Sequence, residues 1–362
     1  MDRRSFSHLA ALAPAFAASS PRSGAALVTH ADGPHLSAYI EGLAKTDDVS
    51  TVWLADPSGS TEAAVRKGIG AKLAGVYKTP RDLFAAHQPA IALVTMEAAE
   101  APPAISAALD AGCHVMAEKP ACVRAADFEP LEAKARALNL NLMLAFANRI
   151  DPVMMEARRI VHSGALGKMY GMEMHIIADQ TRLTRPQYHE TWIAKKARAG
   201  GGHLIWLGIH WLDLAMYITG SSIVETAGFS GNVGGQPIDT EDSAAVALRF
   251  DNGTFGTLTS GYYLDRGKQL FIKVWGSHGW LEIRHATKDP LVWYSSKDAK
   301  PEEKHYSGPA TPGGYTEWVR HVVRAALGKE KPILTGQESL RALRTVFSAY
   351  TAAGTGRTTR VS

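Results

Sequence analysis

The chain has 362 residues, 46% of them apolar and 20% charged, with a formal net charge of +4. That length exceeds the ~250 to 300 residues that one hydrophobic core usually serves, and the composition excludes a disordered or low-complexity protein. The positive charge is spread along the chain without the Lys/Arg block that tracks phosphates, so nucleic acid is not an expected partner.

The first residues differ from the rest. Met1-Asp2-Arg3-Arg4-Ser5-Phe6 leads into an Ala/Leu-rich run and then Ser19-Ser20-Pro21-Arg22-Ser23-Gly24. Arg3-Arg4 with Phe6, a stretch too short to span a bilayer and the small-x-small triplet Ala15-Phe16-Ala17 are similar to a twin-arginine export signal over residues 1–24. Ser7 and His8 stand where Leu and Lys are more usual. The expectation is an exported, periplasmic protein; a cytoplasmic protein with a frayed N-terminus is the alternative. Cys113 and Cys122 are the only cysteines, too few for a zinc spacing or a disulfide framework, and read as inert thiols. No later apolar run reaches membrane-spanning length.

From Ala25 to Asn148 short β-like runs alternate with helical ones. Strands are expected at 25–30, 49–56, 74–77, 90–97, 114–118 and 141–147, with helices at 35–45, 80–87, 103–111 and 125–138. This pattern predicts βαβ units and a Rossmann-like, doubly wound parallel sheet over 25–150. After Asp151-Pro152 a helix at 153–163 leads to a strand at 169–178, a basic-aromatic loop and a Gly-led helix from Gly200. Strand-like runs follow at 244–250, 254–262, 269–275 and 279–284, the first two joined by Asp251-Asn252-Gly253. Helices at 315–326 and 335–353 close the chain. The second half, 151–362, is therefore expected to be an α/β domain with a large, mostly antiparallel sheet.

Ligands of open parallel sheets bind at the carboxyl ends of the strands. Lys119 stands there, after Ala117-Glu118 and before Pro120. A lysine desolvated beside a cofactor has a lowered pKa and can exchange a proton with a hydroxyl; a surface lysine at a strand-to-helix turn is the plain alternative. On an ideal helix from Gly201, His203, Trp206, His210 and Asp213 share one stripe, while Leu204, Leu207, Trp211 and Leu214 lean toward the core. His210 is then an acid or base, Asp213 orients its ring and Trp206 offers a flat face to a sugar; a core histidine is the alternative. No metal site is expected, because His203 and His210 lie two turns apart. The loop 181–198 holds Arg182, Arg185, Tyr188, His189, Trp192, Lys195 and Lys196, a mixture suited to a polyhydroxylated or anionic ligand, or else a solvated basic loop.

With Asp110 to Pro120, Gly164-Ala165-Leu166-Gly167-Lys168, the Gly200 to Asp213 helix, Glu241-Asp242-Ser243 and Arg249 to Gly253 in this order, the chain resembles the Gfo/Idh/MocA family of nicotinamide-dependent oxidoreductases. The resemblance implies a Rossmann domain, a C-terminal domain whose open sheet forms oligomer contacts, and catalytic roles for Lys119 and His210. It places the substrate near Trp192, His203, Trp206 and His210. Cofactor contacts are expected from Thr29, His30, Gly33, Thr95, Glu118 and Lys119, with Asp56 on a ribose hydroxyl, so that NAD is preferred over NADP. Three features depart from the family: Trp206 replaces an Asp, Thr29 to His35 keeps only Gly33 of G-x-G-x-x-G with Asp32 adding charge, and Thr95-Met96-Glu97-Ala98 lacks the usual Pro and His. The expected function is NAD-dependent oxidation of a sugar or cyclitol hydroxyl by a homo-oligomer. Redox-neutral glycoside cleavage on a retained NAD and cofactor-free carbohydrate binding are the alternatives.

Overall fold

The structure is a computed structural model and describes residues 23–30, 33–284, 287–309 and 314–362. The signal-like segment, save Ser23 and Gly24, and Ala31-Asp32 of the first βα turn lie outside the described residues. Six strands form the first sheet: β1 (Ala25–Thr29), β2 (Val52–Ala55), β3 (Leu73–Tyr77), β4 (Ile91–Thr95), β5 (His114–Ala117) and β6 (Leu142–Leu144). All pairs are parallel, in the order β3-β2-β1-β4-β5-β6. β1 and β4 are buried along their whole length, which explains their unbroken apolar runs: helices cover both faces of the sheet. The order reverses direction between β1 and β4, and that crevice is where such sheets take ligands.

Nine strands form the second sheet: β7 (Met169–Asp179), β8 (Ile223–Gly231), β9 (Ser243–Phe250), β10 (Phe255–Leu264), β11 (Lys268–Gly276), β12 (Gly279–Arg284), β13 (Leu291–Ser295), β14 (Lys304–Tyr306) and β15 (Thr359–Arg360). Only β7 and β10 run parallel; the other neighbours are antiparallel. β9 alternates buried and exposed residues, as a strand with one face on the core must. The strands β8, β13, β14 and β15 and the helix Glu62–Ile69 were not among the expected elements. β8 carries two glycines and a bulge, which hide its alternation.

The two sheets share one core. The closing helix Gly336–Thr355 packs on β8, on β6 and on the helix Ala125–Ala137. The helix Tyr315–Ala326 returns to the helix Leu36–Lys45, where a Cβ on Gly42 would fall 2.6 Å from that of Val319. Among the described residues no helix is long and apolar enough to cross a membrane.

Candidate active site

A cavity of about 420 Å³ opens between the two sheets. Lys119, two residues past the end of β5, forms part of its wall, with His35 from the first βα turn, Asn148 beyond β6, and Trp206 and His210. Arg182, Lys268 and Tyr315 complete its polar rim.

The segment that brings His210 there is built on close approach. A Cβ on Gly202 would fall 1.8 Å from the Glu241 carbonyl oxygen, so only glycine admits the chain at this point. The Glu241 carboxylate accepts from the Gly202 and Leu204 N–H groups at 2.6 and 2.9 Å and from the Tyr350 hydroxyl at 2.7 Å, capping the turn that follows. That turn, Leu204–Gly208, is a π-helix, and an α-helix continues over Ile209–Thr219. The inserted residue rotates everything after it by about 100° relative to a regular helix.

The expected single stripe is therefore broken. His203 is buried against Ser260, 2.7 Å from its hydroxyl, and meets the Tyr262 ring edge-on, away from the cavity. Burial depresses its pKa to about 3. Asp213 does not orient His210; it forms a buried ion pair with Arg149 at 2.7 Å. Leu207 and Trp211, expected in the core, line the cavity, and every residue from 209 to 218 is buried, so the helix has no polar face to read. Trp192 lies behind the wall, edge-on to Trp206.

Lys119 and His210 do meet at the cavity. Lys119 is 1% exposed and donates to the Trp206 carbonyl at 2.8 Å. Its Nζ stands 3.8 Å from the centroid of the Trp206 ring and 3.7 Å from Glu118 Oε1. Burial lowers its pKa to about 8, with Glu118 opposing and Arg182 adding to the shift. His210 is pushed well below its ordinary value, first by burial and then by Lys119 and His35. Its ring lies edge-on to Phe146, and its buried Nδ1 has no hydrogen-bond partner. Glu118 is held on the far side by the Tyr39 hydroxyl and by His35 Nδ1 at 3.2 Å, and the His35 ring stacks on Tyr315.

Trp206 is thus not an open platform for a sugar, since one ring face carries the Lys119 ammonium. The ring and its carbonyl support a buried cation without a carboxylate at that position. Trp206→Leu, which keeps the carbonyl, is expected to lower the Lys119 pKa by about half a unit to one unit, as loss of ~0.7–1.4 kcal/mol of cation–π attraction requires. NMR titration of the lysine side chains would measure it.

At the switch point the chain departs from expectation in part. His30 reaches from the end of β1 to the Glu97 N–H at 3.2 Å and to Glu100 at 3.4 Å, and Arg198 clasps both Glu97 oxygens. The His30, Glu97 and Glu100 ligand atoms lie within 4.8 Å of one another, but Arg198 makes the group an ion-pair network instead of a metal cradle. The Asp56 carboxylate accepts from the N–H and hydroxyl of both Ser58 and Thr61, which engages all four of its lone-pair positions. The ribose contact expected of it is taken by its own loop.

Residues 33–146 match the model of an oxidoreductase family with an NAD-binding Rossmann fold, and residues 154–282 match the GFO/IDH/MocA C-terminal domain. The chain belongs to the Gfo/Idh/MocA family of oxidoreductases. It is 25% identical over 252 residues to levoglucosan dehydrogenase of Pseudarthrobacter phenanthrenivorans, a match that covers 63% of this chain and 64% of that protein, just under two thirds. It is 22% identical over 315 residues to myo-inositol 2-dehydrogenase of Thermotoga maritima, covering 86% of this chain and 91% of that one. The crystal structure of an oxidoreductase domain protein from Kribbella flavida superposes with a TM-score of 0.85 at 20% identity, over 95% of this chain and 100% of its own, and shows the common fold.

Family membership makes the N-terminal domain an NAD-binding Rossmann domain, and the residues present fit that cofactor. A Cβ on Gly33 would fall 2.4 Å from Thr29 Oγ1 and 2.5 Å from the Thr95 carbonyl, so this glycine holds the turn tightly against β1 and β4. The Thr95 hydroxyl donates to the Pro34 carbonyl and fixes the same approach. The helix Leu36–Lys45 begins without an acidic residue in its first turn and without a side-chain cap, and the one carboxylate beside its start among the described residues, Glu118, is already engaged by His35 and Tyr39. At the other end, the buried Glu118 Oε1 lacks a hydrogen-bond donor beside Lys119.

Lys268, Tyr315 and Asn148 of this site had no sequence signal. Tyr315 comes from the far end of the chain, and Asn148 from a 3₁₀ turn after β6.

Proposed function

We propose that the protein is an NAD-dependent oxidoreductase that oxidises a hydroxyl of a sugar or cyclitol, with Lys119 and His210 handling the hydroxyl proton. The observation that carries this reading is that one cavity is lined by both a buried lysine and a buried histidine, the first still mostly protonated and the second neutral near pH 7. With its pKa near 8, Lys119 is mostly protonated at pH 7 and keeps donors beyond the one given to the Trp206 carbonyl. His210 is neutral there and accepts a proton. His210 therefore takes the hydroxyl proton while the Lys119 ammonium steadies the oxygen as it becomes negative. Bound NAD supplies the acceptor for the hydride. Thr29, Gly33 and the Leu36 helix end would hold its pyrophosphate, and Glu118 and Lys119 would border its nicotinamide. Asp56, held ionised by its loop, disfavours a 2′-phosphate by charge alone, which supports NAD over NADP. Export through the Arg3-Arg4 signal and assembly through the open face of the second sheet belong to the same reading.

The test is to release bound dinucleotide from the purified protein with acid, identify it by mass spectrometry, and then follow NADH formation with a panel of sugars and cyclitols against pH. Expected are NAD, NADH formation, and a rate that holds from about pH 6 to 8 and falls above pH 8 as Lys119 loses its proton. A rate that rises through pH 8 would assign the base role to Lys119. Bound NAD without net NADH would favour redox-neutral cleavage, and a protein that neither carries nor binds dinucleotide would defeat the reading.

A further inference from the structure

The cavity lined by Lys119 and His210 carries two more cationic residues, Arg182 and Lys268. Lys268 opens β11 and pairs across the ladder with Ala178, and Leu270 pairs with Ile176. Residues two apart on a strand share a face, and all four line the cavity. Arg182 follows Ala178 by four residues, lines the same cavity, and lies 5.6 Å from the Tyr262 ring centroid. Neither Arg182 nor Lys268 takes part in an ion pair among the described residues. Elsewhere on this sheet the cations are paired: Lys273, five residues along the same strand, meets Glu282 at 2.9 Å, and Arg249 meets Glu225 at 2.5 Å. No Asp or Glu lines the cavity, and the nearby Glu118 is turned to Tyr39, His35 and Lys119. A neutral polyol would leave these two cations with only the Asp179 carboxylate nearby, which feels the Arg182 charge but neither lines the cavity nor forms an ion pair with it.

We propose that the substrate is an anionic carbohydrate, a polyol bearing a carboxylate or phosphate, whose anionic group lies between Arg182 and Lys268 while the hydroxyl to be oxidised faces Lys119 and His210. The arginine fork accepts two anion oxygens side by side, and the lysine adds a mobile point charge. Both residues are exposed at the rim, so the attraction is partly screened and selects among sugars by about tenfold and not by many orders. The role as substrate rests on the oxidoreductase reading above; binding of the anion does not.

Calorimetric titration of the purified protein with D-glucuronate, glucose 6-phosphate, D-glucose and myo-inositol tests it, at low and at high salt. The expected result is that one or both anionic sugars bind about tenfold tighter than glucose at low salt and lose that advantage at high salt. The glucuronate and glucose 6-phosphate arms separate carboxylate from phosphate. The double variant Arg182→Gln/Lys268→Gln should abolish the advantage, with its thermal midpoint as the control for folding. Equal affinities for all four sugars, or a preference that survives the double variant, would overturn the proposal. NADH formation from glucose or inositol without an anion preference would leave the oxidoreductase reading standing and remove this one. Anion-selective binding without NADH formation from any sugar would do the reverse.

Discussion

Lys119→Met is expected to lower kcat for polyol oxidation by about a hundred- to ten-thousand-fold, the range that a positioned proton-handling group supplies. The same substitution should stabilise the protein. A native pKa near 8 against an ordinary 10.5 means that the folded state holds the ammonium less readily than the unfolded chain. At 1.36 kcal/mol per unit the cost at pH 7 is on the order of 3 kcal/mol, which methionine, of similar length and apolar, does not bear. The sign follows from proton counting. Between pH 8 and 10.5 the unfolded chain binds the proton and the native one does not, so parent stability rises with pH across that window. In Lys119→Met this rise should be missing. Activity lost together with stability gained marks a group kept for chemistry; equal loss of both would mark a structural lysine. His210→Gln should show a comparable kcat deficit, and the double variant little more than either alone, because the two groups act on one oxygen.

The first domain was legible, apart from the helix Glu62–Ile69, because its central strands carry apolar runs that alternate with helical stretches. Val28 and Val94 lie at matching heights on β1 and β4, and the position of Lys119 followed from the strand before it. The site across from it was less legible. One π turn at 204–208 shifted the phase of the helix, so reasoning at 3.6 residues per turn grouped His203 and Asp213 with His210, although neither lines the cavity. Glu241, which caps that turn from nearly forty residues away, appeared in the sequence only as part of a family-like motif. Asp56 was correctly seen at the end of β2, yet a sequence does not reveal that Ser58 and Thr61 occupy its oxygens. Long-range partners such as Tyr315 on His35 are set by how the last helices return to the first domain, which local periodicity does not encode.

Arg149→Met should be the most destabilising single change, at about 3–5 kcal/mol, because it strands a buried carboxylate. Arg149 is 2% exposed. Its Nε and Nη2 donate to Asp213, with Nη2 2.7 Å from Oδ1, while Nη1 donates to Glu338 at 2.8 Å and to the Ile333 carbonyl at 3.0 Å. One guanidinium thus joins the end of the first domain, the His210 helix and the start of the closing helix. Glu338 is partly exposed and can turn to water; Asp213 cannot. Burial already raises the Asp213 pKa, and without Arg149 nothing opposes it, so the variant will bind a proton there when folded. The native state then holds more protons than the unfolded one at neutral pH, and stability falls as pH rises above the ordinary carboxylate range. Urea unfolding should therefore show a larger deficit at pH 8 than at pH 5. Arg149→Met/Asp213→Leu should recover most of the loss, since two apolar groups replace the pair without leaving a charge behind. If that double variant also keeps its kcat, Asp213 holds the helix in place and takes no part in the proton transfer; if kcat collapses in a stable protein, Asp213 has to be returned to the catalytic group.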